Sequence, residues 1–170
     1  MSSVDTAALL LRSTLGAVLL AHGVNHAWGA GALTATGAWF ASIGLHPGRL
    51  HAVLATATEI AAGALLLAGL LTPFAAAAVV ATMAVALITA HRGNGFFIFR
   101  PGQGWEYTAV LATVALATAA LGPGHWSADR LLGIEITGTT ALVIAGVLGT
   151  LSATLLLATC WRPRASRPAG

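Results

Sequence analysis

The chain has 170 residues, of which eight are basic and five acidic, so charged residues make up 8% against 57% hydrophobic ones. A typical soluble domain carries about 25% charged residues, so this composition leaves no ordinary water-facing surface and excludes a disordered tail and a cytosolic enzyme. The net charge of +3 comes from arginines alone and the single cysteine is Cys160, which excludes a nucleic-acid module, a disulfide scaffold and a Cys-x-x-Cys redox relay. The composition is that of an integral membrane protein of the all-α class.

Crossing the hydrocarbon core takes roughly 20 mostly apolar residues, and five segments qualify, at about 7–27, 51–71, 74–91, 105–122 and 138–160. The first is expected to be a retained span rather than a cleaved secretory signal. No basic residue precedes its apolar run, Arg12 lies inside it, and four more spans follow. Between the first two spans, Leu33, Trp39, Phe40 and Ile43 share one side of a short helix that Gly44 stops, and His46-Pro47-Gly48 turns the chain. This segment reads as interfacial or re-entrant. Thr72-Pro73 leaves room only for a tight turn, so the second and third spans are expected to be antiparallel neighbours.

Asn94 to Tyr107, NGFFIFRPGQGWEY, is the most distinctive stretch, with glycines for tight turns, aromatics for the interface and Arg100 for a phosphate or carboxylate. It reads either as a membrane-hugging loop or as a lid hinged at Glu106. Trp28, Trp39, Trp105, Trp126 and Trp161 fall where an aromatic belt would place them. Along the last span Ala141, Ala145, Gly149 and Ala153 form a small-residue stripe that could dimerise the chain. A short basic tail, RPRASRP from Arg162, follows that span.

Five spans place Arg49, Arg92, Arg100, Arg162, Arg164 and Arg167 on one side and Arg130 on the other. The positive-inside rule then predicts an outside N-terminus and a cytoplasmic C-terminus. The arginine-rich face also receives His22, Asn25 and His26 from the end of the first span. It receives His51 and Glu59 from the start of the second, His91 from the third, and Glu106 with Tyr107 from the fourth. At 1.5 Å per residue, Glu59 lies about 12 Å deep, His22 about 7 Å, Glu106 about 1–2 Å, and Arg12 roughly 22 Å from that face. A charge near the bilayer centre costs about 2.5–3.5 kcal/mol on insertion scales, so pairing Glu59 with Arg12 is the economical expectation. Such a pair could simply fix helix packing, or Glu59 could act as a proton-active carboxylate. His22 and His26, at i and i+4, share a helix face that could hold a metal or haem edge, but histidines near span ends are ordinarily hydrated, and no metal is assigned.

Taken together, Leu11-Arg12, His22-Gly23-Val24-Asn25-His26, Phe40, Gly44, Glu59, Gly63, Leu70-Leu71-Thr72-Pro73, Gly95-Phe96-Phe97, Gly104-Trp105-Glu106-Tyr107 and the stretch Leu121 to Asp129 resemble the DoxX family of small bacterial membrane proteins. The resemblance covers residues 8–133, and many relatives carry lysine at the position of Asn25 or His26. It implies a four-helix transmembrane bundle over residues 1–133, with residues 134–170 adding a fifth span and the tail. It also implies a multi-pass protein of the bacterial plasma membrane, linked to quinone-coupled sulfur oxidation and to oxidoreductase complexes that respond to oxidative stress.

Three functions follow from the residues and the resemblance. The leading one is a membrane subunit of a redox system that binds a quinone or a small sulfur or thiol ligand. Glu59, His22 and Glu106 would be its catalytic, proton-exchanging groups. Arg12, Asn25, His26, Arg100 and Tyr107 would bind the ligand, and electrons would come from soluble redox enzymes on the cytoplasmic side. The alternatives are a non-catalytic scaffold for such enzymes and a small-solute transporter. A homo-oligomer is compatible with each.

Overall fold

The computed structural model describes residues 2–163, and the tail arginines Arg164 and Arg167 lie outside them. Helix α1 (Ser3–Trp28) starts earlier than its apolar run because a capping box holds its first turn. The Ser2 hydroxyl accepts the Asp5 N–H at 3.2 Å, and the Asp5 carboxylate takes the Ser2 N–H and hydroxyl at 2.8 Å each. The short α2 (Ala32–Ser42) is the helix expected before Gly44. Helix α3 (Gly48–Ala68) ends at Gly69, whose φ of +64° is the left-handed conformation that favours glycine at a helix C-terminus.

Helix α4 (Thr72–Ala86) carries Pro73 in its first turn, where the missing N–H costs nothing. Its axis runs on through a π-helical turn, Leu87–His91, and a 3₁₀ turn, Arg92–Asn94. Helix α5 (Glu106–Leu121), the five-residue α6 (Ala128–Leu132) and α7 (Gly138–Cys160) complete the chain. Four segments are long and apolar enough to span a membrane: Ser3–Trp28, Gly48–Ala68, Thr72–Asn94 and Gly138–Cys160. Helix α5 is shorter, about 24 Å, yet it runs the length of the bundle. Tyr107 at its start faces His22 at a ring distance of 6.3 Å, and the turn after its end is tied to the start of α1, where the His125 N–H donates to Asp5 at 3.0 Å.

Helices α1, α3, α4 and α5 pack in a ring, each on the next and α5 back on α1. Leu15, Leu19, Leu66, Val79 and Ala115 fill its interior. The α1–α3 crossing depends on two facing glycines. A Cβ on Gly16 would stand 2.8 Å from the Gly63 carbonyl oxygen, and one on Gly63 would stand 2.8 Å from that of Gly16. Helix α7 lies outside the ring against α4 and α5. Its stripe of Ala141, Ala145, Gly149 and Ala153 is buried inside the chain, with Gly149 backed onto Val80 and Ala77. The stripe expected to face a second copy is thus used within one chain, because it lets α7 approach α4 closely.

Arg12 and Glu59 do not pair. Arg12 is only 2% exposed, and its guanidinium donates to the carbonyls of Leu66, at 3.0 Å, of Leu67 and of Trp126. The last turn of α3 leaves its carbonyls without helical partners, and a guanidinium fork meets several of them at once. Asp129, also buried, adds a favourable charge interaction with Arg12.

Candidate functional site

The ends of α1, α3, the α4 extension and α5 meet at the arginine-bearing end of the bundle and open into a cavity of about 660 Å³. Helix α1 contributes His22 and His26 to its wall, α3 contributes His51 and Glu59, the π turn ends in His91, and α5 begins with Tyr107. The remainder of the lining is largely apolar, including Leu19, Leu45, Leu54, Phe74, Met83 and Leu111. Helix α2 closes one side with Trp39 and Phe40, and the Phe40 ring meets that of His26 edge-on at 6.5 Å.

In the cavity wall His26 and Glu59 come together. His26 Nδ1 lies 3.0 Å from Glu59 Oε2, and Glu59 is 5% exposed. The two atoms face each other at ion-pair distance, and both are buried. His22 stands beside it, 6.5 Å from the His26 ring and 6.3 Å from that of Tyr107. His51 is occupied, with its Nε2 donating to the His46 carbonyl at 3.3 Å.

The loop from Gly95 to Trp105 folds back over the mouth as a compact turn. The His91 Nδ1 donates to the Gln103 carbonyl at 2.9 Å, and the Asn94 amide donates to the carbonyls of Ala90, Gly102 and Gln103. Ile98, Gln103 and Gly104 thereby become part of the cavity wall. Glu106 supports this loop: its carboxylate accepts the Ile98 N–H at 3.1 Å. Phe96, Phe97 and Phe99 stay exposed on its outer side, where aromatic side chains suit the membrane interface.

His22, His26, Glu59 and Tyr107 of the expected site therefore come together, whereas Arg12, Asn25, Arg100 and Glu106 do not line the cavity. Arg12 is at the far end of the bundle under the α3–α4 turn, Asn25 and Arg100 are exposed, and Glu106 is engaged by loop backbone. Several wall residues had no sequence signal as site groups. Trp39 and Phe40 read as one side of a short interfacial helix, and Met83 as an ordinary span residue. Among the described residues, no group of three or more His, Cys, Asp or Glu side chains is arranged to hold a metal ion.

The fold and cavity define a small, multi-span α-helical membrane protein with a partly polar chamber at membrane depth. Within that class the chain belongs to the DoxX family, whose family model matches residues 7–92, just over half of the sequence. That match runs from the second turn of α1 through α4 to the π turn and the residue after it. No curated protein and no solved structure matches the chain.

Proposed function

We propose that this DoxX-family protein is the membrane subunit of a redox system and that its cavity binds a quinone. The carrying observation is the His26–Glu59 pair, held at 3.0 Å in the wall of a mainly apolar chamber. A quinone head matches that surround: its carbonyl oxygens accept hydrogen bonds from imidazole N–H groups while its ring packs against apolar and aromatic walls. Reduction of the quinone takes two electrons and two protons and yields the quinol. The chain's one thiol cannot form a relay, so the electrons come from a soluble redox protein docked at the arginine-bearing mouth. His22, His26 and Glu59 deliver the protons. Arg49, Arg92, Arg100 and Arg162 make that mouth the cytoplasmic side by the positive-inside rule.

The test is titration of the purified protein in lipid nanodiscs with a short-chain benzoquinone, followed through tryptophan fluorescence, since Trp39 lines the cavity. Glu59→Gln and His26→Ala are each expected to weaken binding about tenfold, the worth of one hydrogen bond to a charged group. Unchanged affinity in both variants would overturn the proposal.

A further inference from the structure

The chamber is open on its lipid side as well as covered at its mouth. Helices α3 and α7 both pack on α4, and the cavity continues along the α4 surface between them, from Thr89 beside the mouth to Phe74 near the far end. That path is about 22 Å long. Its edges are half-exposed although they line the cavity: Leu54 on α3 at 48%, Phe74 on α4 at 44% and Leu148 on α7 at 41%. All three sit in membrane-spanning segments, so what they expose faces acyl chains rather than water. The floor between those edges is Ala77, Ala78 and Ala81, side chains too small to fill the slot. At its inner end the slot joins the chamber that holds Glu59.

We propose that the slot between α3 and α7 is a lateral portal that seats the hydrocarbon chain of the ligand. The ligand is then a lipid-dissolved amphiphile that enters from the bilayer, head first, and leaves its tail along α4. The proposal rests on the quinone reading for the head and adds the tail, the route and the helix that walls it. Helix α7 supplies part of one edge of the portal through Leu148 and Ser152, so the last helix becomes part of the binding site.

The experiment uses full-length protein in nanodiscs of one lipid composition and two probes with the same head. One is a methyl-substituted benzoquinone without a tail, and the other carries a long isoprenoid tail. Ala78→Trp fills the slot from its floor and Ser152→Trp from its edge. Ala78 and Ser152 lie on α4 and α7, away from the helices that carry His26 and Glu59; Ser152 is exposed and Ala78 partly so. Both variants are expected to bind the tailless probe within twofold of wild type and the tailed probe at least tenfold more weakly. Wild-type affinity for the tailed probe in both variants overturns the portal and leaves the head site standing. Equal loss of both probes in both variants also overturns it, since the substitutions then act on the head chamber. Failure of the wild type to bind either probe overturns the quinone reading itself.

Discussion

The carboxylate of Asp129 holds Thr72 at two points, accepting its backbone N–H at 3.0 Å and its hydroxyl at 2.8 Å. The Leu71 N–H donates to the same carboxylate at 2.7 Å, so a residue 57 positions away serves as the N-terminal cap of α4. Together with Arg12 on the carbonyls that end α3, it closes the α3–α4 turn from both sides. Asp129→Ala leaves buried N–H groups without partners and is expected to cost about 1–3 kcal/mol, visible as a lower thermal midpoint in detergent. Arg12→Lys keeps the charge but loses the fork that reaches three carbonyls, and should destabilise comparably. A double-mutant cycle is expected to show coupling between the two positions. Strict additivity would show that they act independently.

Glu59 is predicted to reduce stability for the sake of function. Replacing it with methionine removes a buried carboxyl together with its desolvation cost, and leaves His26 free to stay neutral. Glu59→Met should unfold at the wild-type temperature or a few degrees above it while quinone binding is lost. A pronounced drop in thermal midpoint would show instead that Glu59 is a structural residue.

The facing glycines set the distance between α1 and α3. Gly63→Ala would place its methyl carbon 2.8 Å from the Gly16 carbonyl oxygen and the same distance from Leu20 Cγ, so the two helices must separate. The expected cost is about 1–3 kcal/mol, as for overpacked cores generally. Gly93→Ala is the control, since nothing lies within 4 Å of its added carbon. Equal thermal midpoints for the two variants would count against a close α1–α3 crossing.

Orientation is open to a direct measurement. In a Cys160→Ser background, a cysteine at Ser3 should react with a membrane-impermeant thiol reagent applied to intact cells. A cysteine at Gln103 should react only after permeabilisation. The reverse pattern would turn the mouth outward and remove the proposed access for cytoplasmic redox proteins.

The spans and the convergence at the mouth were legible because both follow from one-dimensional features. Apolar run length sets where a helix can cross, and alternating direction then brings His22, His26, Glu59 and Tyr107 to the same end. The partner of Arg12 was not legible, since backbone carbonyls carry no residue signature. A pairing argument built on side chains alone led to Glu59, whose neighbour is His26. Glu106 shows the same difficulty from the other direction. Its type and its place at the mouth suited a proton carrier, but its carboxylate is taken by the Ile98 N–H of a loop whose fold depends on particular turns. The docking of α7 on α4 was hidden for a different reason: in an alanine-rich chain, small-residue stripes occur on many helix faces and cannot rank themselves.

The tie between the two ends of this chamber wall has a consequence for how the protein can be re-engineered. The Trp161 indole donates to the Ile43 carbonyl at 3.0 Å and the Arg162 N–H to that of Gly44 at 2.7 Å, which staples the end of α7 to the loop before α3. The segment up to residue 92 carries His26 and Glu59, while the segment after it supplies the covering loop and one edge of the slot. The histidines and Glu59 of the wall thus lie in the first stretch of polypeptide, and the covering loop, Tyr107 and the α7 edge in the second. Hybrids joined between Gly93 and Gly95, with the second half taken from another family member, should exchange ligand preference while keeping the same head-group contacts.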